Sequence, residues 1–378
     1  MAVVVTGLGA VSCFGGGVPA LWDGLLRADA EPVPAPEDCG LASRPNLYPA
    51  TGFADPTSGG RTTAMALAAV AEAIGHSGLT PGDLLDAGLT VGTSLGDIDL
   101  AEAAGSGAVA VHTVAAGVAS GFGIGGPNHT LSTACSAGAY AVSWGAELIE
   151  TGQADVVIAC GSDAFSRVAV GTLHRFELLD STHCRPFDAE RGGMVTGEGA
   201  AAVVLESAES ARRRGAEVIV ELAGHGWSCD AHHPMAPEPS GGQLSRAAGE
   251  ALAGTGAPPG AVVLHRNGVQ LNDTVESIAV AAAFDELAAG GAAGVAGYAP
   301  KAVLGHTAGA AGVFGCVIAA LILRHGLVPP NAHVRTLDPD CPLIVPLGGP
   351  VPLDRPAVLV SGTGFGGNNA ALAWRRAS

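Results

Sequence analysis

Residues 130–149 read TLSTACSAGAYAVSWGAELI, a short β-branched run followed by a small-residue turn and an apolar helical stretch with Cys135 at the turn. A strand running straight into a helix is the unit of an α/β fold. A thiol at that turn points into a cleft and feels the positive end of the helix dipole, which predicts a pKa lowered toward the reactive thiolate. The small residues Ser136, Ala137 and Gly138 are read as leaving room for a substrate. The other cysteines lie at 13, 39, 160, 184, 229, 316 and 341, with no CxxC pair, so neither a disulfide scaffold nor a zinc knuckle is indicated. Cys13, Cys160, Cys184, Cys316 and Cys341 are read as buried, inert thiols.

Working outward, β-branched runs alternate with alanine-rich stretches. A strand at Val3–Val5, helices at 21–26 and 62–74, and a strand at 89–91 precede the cysteine; strands at 154–160 and 200–205 follow it. The charged segment 206–214 reads as a surface helix, with Arg212, Arg213 and Arg214 on a solvated face. After a half-boundary near 208 the order repeats: a strand at 218–222, a helix at 244–253, a strand at 261–264, helices at 273–287 and 308–324, and strands at 357–360 and 370–374. The expected organisation is two similar halves, 1–208 and 209–378. Gly and Pro concentrate at 29–60 and 286–300, which read as loops.

The chain has 378 residues, 48% of them hydrophobic, and a formal charge of −17. That charge excludes a nucleic-acid partner, which needs a basic stripe. No apolar run reads as a membrane span and no signal-peptide pattern opens the chain, so the expectation is a cytoplasmic protein with no membrane span. Lys301 is the only lysine, and no G-K-[ST] occurs, which removes a P-loop. Val5–Ser12 has two glycines of a dinucleotide fingerprint and lacks the third. Cys229, His232 and His233 form a C-x-x-H-H group with no second cluster, so no metal is expected.

Five stretches, VVVTGLGAVS (3–12), STACSAG (132–138), CRPFDAERGGMVTGEGA (184–200), KAVLGHTAGAAG (301–312) and SGTGFGGNNA (361–370), closely resemble the signature blocks of β-ketoacyl synthases of fatty-acid and polyketide biosynthesis. The resemblance spans nearly the whole chain. It implies a five-layer αβαβα thiolase fold and a decarboxylative Claisen condensation through an acylated Cys135. His265, in a segment similar to the family's HGTGTxxND block, and His306 would be the donors that stabilise the enolate, with Lys301 tuning the histidine. Phe365, between Gly364 and Gly366, would gate the acyl pocket and pair its amide with that of Cys135 as an oxyanion hole. The implied partners are an acyl carrier protein, whose phosphopantetheine carries the substrates, and a second copy or a ketosynthase-like subunit completing a dimer. No other cofactor is implied.

Departures from the family pattern accompany the match. Asn267 and Val269 stand where two threonines hydrogen-bond the phosphopantetheine arm. Gly315 stands where a glutamate would partner Lys301, and Gly192-Gly193-Met194 replaces Asp-Gly-Phe. The stretches 30–60 and 93–122 are shorter than in elongating synthases. Two alternatives follow: an acyltransferase, initiating or cyclising enzyme of a specialised pathway, and a non-catalytic partner like a chain-length factor.

Overall fold

The computed structural model describes residues 1–54, 59–105, 110–288 and 291–377. The first half carries β1 (Val3–Ser12), α1 (Arg61–Ser77), β2 (Gly88–Gly92), α2 (His112–Phe122), β3 (Asn128–Leu131), α3 (Ala137–Glu150), β4 (Val156–Asp163), α4 (Arg167–Arg175) and β5 (Gly199–Ser207). The second carries β6 (Val220–Cys229), α5 (Gly242–Leu252), β7 (Ala261–Val263), α6 (Gln270–Leu287), β8 (Ala296–Tyr298), α7 (Ala311–His325), β9 (Ala357–Gly364) and β10 (Asn368–Arg376).

Strand order reveals the duplication that the residues only hinted at. The first half runs β1-β5-β4-β2-β3 and the second β6-β10-β9-β7-β8, so position for position the two sheets have the same connectivity. Both begin with antiparallel pairs and end with parallel ones. They join through an antiparallel seam, Val3 to Val5 against Leu222 to Val220. Helices α3 and α7 fill the space between the sheets, α1 and α2 cover the outer face of the first, and α5 and α6 that of the second. These are the five layers of the thiolase fold.

Glycines decide how closely the layers approach. A Cβ on Gly9 would lie 1.9 Å from the Ala69 carbonyl oxygen and one on Gly7 2.2 Å from that of Ala73, so the two glycines of Val5–Ser12 seat α1 on β1. Gly138 does not make room for a substrate, as its sequence had suggested: a Cβ there would meet the Gly309 carbonyl at 2.5 Å, because α3 and α7 cross at their N-termini.

Two further expectations change. Residues 308–325 do reach the length and hydropathy of a membrane span, with mean hydropathy 1.7, yet 78% of the stretch is buried inside the protein. Glu206 lies in β5, fully buried, and Arg214 binds it at 2.7 Å while donating to the Ser77 carbonyl; only Arg212 and Arg213 of that triplet face solvent. The loop readings at 29–60 and 286–300 and the shortened stretch 93–122 include 55–58, 289–290 and 106–109, which lie outside the described residues.

Candidate active site

The turn that carries Cys135 is built from Thr133 to Ser136. Ala134 takes φ 52°, unusual for a residue with a Cβ, and residues 134–136 form one 3-10 turn before α3 begins. The second half repeats the device: Ala308 takes φ 47°, residues 308–310 form the 3-10 turn, and α7 follows. Thr133-Ala134-Cys135-Ser136 thus matches Thr307-Ala308-Gly309-Ala310, and the position equivalent to Cys135 is Gly309.

A cavity of about 280 Å³ opens at Cys135. His265, His306, Asn267, Gly364 and Phe365 line it together with the cysteine, although they come from four distant stretches. The rings of His265 and His306 meet edge to face with centroids 5.4 Å apart. Lys301, 4% exposed, sits behind them and donates to the main-chain carbonyl of His265. The same residue is clamped at its amide by Glu276 at 2.7 Å, and Ser361 donates to that carboxylate in turn. Lys301 therefore has an oxygen partner despite Gly315, and Glu276 supplies the nearby negative charge.

The tautomer of His306 follows from its partners. Nδ1 accepts the Ala308 amide at 3.3 Å, which leaves the ring proton on Nε2, and Nε2 is buried without a protein partner among the described residues. Burial holds both imidazoles well below the ordinary histidine range, and the Lys301 charge pushes both further down. They are neutral donors or acceptors at neutral pH.

Cys135 reverses the sequence expectation. Burial pushes its thiol up to about 11; the Lys301 ammonium opposes that shift and the Asp163 carboxylate adds to it. Desolvation of the thiolate outweighs the helix end.

Around the turn, Gly364 packs so tightly that a Cβ would lie 2.7 Å from the Thr133 carbonyl and 3.1 Å from the Ser136 amide. Asn267 lines the cavity, but its Oδ1 accepts the Val269 amide at 3.1 Å, which leaves its Nδ2 as the free group. Val269 and Gly366, expected at the substrate, are not on the cavity wall. Val269 precedes the first residue of α6, and Gly366 gives its amide to the Pro234 carbonyl. Gly193, from the altered Gly-Gly-Met turn, adopts φ 138° beside the Leu178 carbonyl, while Met194 reaches the cavity.

Three residues escaped the sequence reading. Asp163 and Glu276 are buried carboxylates that hold main-chain amides, and Arg266 stacks on Phe187 at 4.5 Å while pairing with Asp273. Burial raises Asp273 to about 7 against the two arginines, Arg266 and Arg191, that lower it. The wall along α4, including Val168 and Leu173, and the stretch Met235 to Pro237 were also not anticipated. Among the described residues Cys229, His232 and His233 form no ligand cluster; His233 accepts the amides of Met235 and Ala236, and Cys229 contacts the Gly366 carbonyl.

Comparison with known proteins agrees with this geometry. Residues 54–211 match the family described as "Beta-ketoacyl synthase, N-terminal domain" and residues 219–335 its C-terminal counterpart. The chain is 30% identical to 3-oxoacyl-[acyl-carrier-protein] synthase 2 of Synechocystis, over 99% of this chain and 98% of that protein. It superposes on a solved structure of the ishigamide ketosynthase/chain length factor with TM-score 0.89 and 32% identity, covering 100% of this chain and 99% of the other. A β-ketoacyl synthase from Burkholderia phymatum gives TM-score 0.88 at 26% identity, with 100% of both chains covered.

Proposed function

The chain belongs to the β-ketoacyl synthase family of acyl-transferring condensing enzymes, and from that premise we propose that it joins an acyl group held on Cys135 to a malonyl unit by decarboxylative Claisen condensation. The half comprising residues 1–208 would supply the nucleophile and the half comprising 209–378 the two histidines. Substrates would arrive as thioesters on the phosphopantetheine of an acyl carrier protein, the partner named in the Synechocystis relative.

In the first step the Cys135 sulfur attacks the acyl thioester; a bond to Cys135 forms, the carrier sulfur leaves, and the cysteine proton passes to it. Because the thiol is held near 11, that proton needs an acceptor as attack proceeds, and His265 has ring nitrogens with no partner among the described residues. The developing oxyanion would be met by the amides of Cys135 and Phe365. In the second step the malonyl thioester loses carbon dioxide, and the electron pair of the broken bond becomes an enolate whose oxygen accepts from His306 Nε2. In the third, the enolate carbon attacks the Cys135 thioester; a carbon–carbon bond forms, the cysteine sulfur leaves and takes one proton from solvent.

The observation that carries this reading is the convergence of Cys135, His265 and His306 on one cavity, with a buried, unspent Nε2–H. Mass spectrometry after incubation with acyl and malonyl thioesters tests it: a Cys135 acyl adduct and carbon dioxide release are expected. Acylation without carbon dioxide would favour an initiating, acyl-transferring or cyclising enzyme, the reading that Asn267, Val269 and Gly315 support. No acylation would favour a chain-length-factor-like role. Work in the cytoplasm as a homodimer, or paired with a second ketosynthase-like chain, completes the proposal, and the ishigamide ketosynthase/chain length factor supports the pairing.

A further inference from the structure

One buried carboxylate ties together parts of the site that the chain itself keeps far apart. Asp163 ends β4 and is 3% exposed. Its Oδ1 accepts from Thr93 Oγ1 at 2.8 Å and from the Leu95 amide at 3.2 Å. Its Oδ2 accepts from the Ser94 amide at 2.8 Å and from the Gly309 amide at 2.6 Å. Ser94 and Leu95 are cavity wall, and Gly309 follows Ala308, whose amide fixes the His306 ring.

The duplication makes the arrangement pointed. Gly309 is the counterpart of Cys135, and Asp163, at the end of β4, is the counterpart of Gly364, at the end of β9. In the first half the equivalent turn residue, Cys135, lines the cavity together with Gly364. In the second half the equivalent amide is occupied by a carboxylate. A Cβ on Gly309 would lie 2.7 Å from Asp163 Oδ2 and 2.8 Å from the Ser94 amide, so the turn is glycine because the carboxylate is there.

We propose that Asp163 is a positioning residue which plugs the second half's turn and thereby holds His306 and the Ser94–Leu95 wall in fixed register around Cys135. The inference rests on the condensing role proposed above only in what it predicts for turnover. The clamp has its own signature as well: the carboxylate charge acts on the Cys135 thiol, and burial raises Asp163 itself to about 6. The other titratable groups facing Cys135 are His265, His306, Glu276 and Asp230 on the cavity wall and Lys301 behind it.

The test is Asp163→Asn in the full chain, with Asp163→Ala alongside and thermal melting as a check on folding. Asparagine keeps the shape, loses the charge and can accept for only one of the two oxygen sites. Hydrogen exchange in peptides covering 93–96 and 307–310 should accelerate about tenfold or more in either folded variant, because those amides lose a charge-assisted partner. Iodoacetamide should alkylate Cys135 faster than in wild type at pH 8, because a nearby negative charge is gone. Carbon dioxide release from a malonyl thioester should fall about tenfold or more. Unchanged exchange in both segments, or unchanged alkylation in a folded Asp163→Asn, would overturn the clamp. A wild-type protein that releases no carbon dioxide would sink the condensing role instead, and the exchange and alkylation results would still decide the inference.

Discussion

The Ala308 amide donates to Nδ1 of His306 at 3.3 Å and so fixes which nitrogen of that ring carries the proton. A neutral imidazole locked this way can donate from Nε2 but cannot accept there. Two histidines of similar burial thus differ, and the proposed condensation uses the difference: one has its tautomer set by the backbone, and the other has ring nitrogens free of protein partners among the described residues.

His306→Ala should therefore lower carbon dioxide release from a malonyl thioester by about 10²- to 10³-fold, the loss typical for one oxyanion donor. Acyl loading on Cys135, followed by mass, should persist. Equal loss of both steps would contradict the division.

Cys135→Ala should abolish the acyl-enzyme. In the wild type the thiol is held near 11, so the reactive thiolate fraction grows about tenfold for each pH unit below that value. The rate of alkylation at Cys135 should climb from pH 7 to beyond pH 10 without levelling. A plateau below pH 8 would mean that the helix end, and not burial, governs the sulfur.

Lys301→Met replaces a buried ammonium with an apolar chain of similar length. The Lys301 charge lowers the Cys135 pKa, so its removal should raise that pKa and slow alkylation at fixed pH. The same charge depresses His265 and His306, which should become easier to protonate, as NMR titration of the imidazoles would register. Faster alkylation in this variant would refute the assignment.

Gly364→Ala puts a methyl group 2.7 Å from the Thr133 carbonyl and against the start of the turn that carries Cys135. Displacement of a reacting group by about 1 Å costs roughly 10²-fold. Acyl loading should drop on that scale while the melting temperature changes little, since the site lies at a strand end. Unimpaired loading would show that the turn yields freely.

Much of this was legible because the information is local. Cys135, His265 and His306 each stand in a short stretch that resembles a block of the β-ketoacyl synthase family, and the alternation of apolar runs pointed to an α/β fold. What stayed hidden depends on distance. Asp163 meets Gly309 across 146 positions, and nothing in the run around Asp163 announces that contact. Glu276 lay unremarked inside the helix read at 273–287, and only the fold turns it onto the amide of His265. Gly138 was misread because a small residue signals close approach without saying by what, and here it is the Gly309 backbone. The thiol was misjudged because a helix end is visible in the sequence and the desolvation that outweighs it is not.

The single lysine has a practical consequence. With Lys301 sealed 4% exposed behind the histidines, the outer surface offers no lysine amine at all. Amine-reactive cross-linkers and succinimidyl dyes will find no side chain to hold, so tethering this protein to a sensor chip calls for carboxyl or guanidinium chemistry, or for the exposed thiol of Cys229.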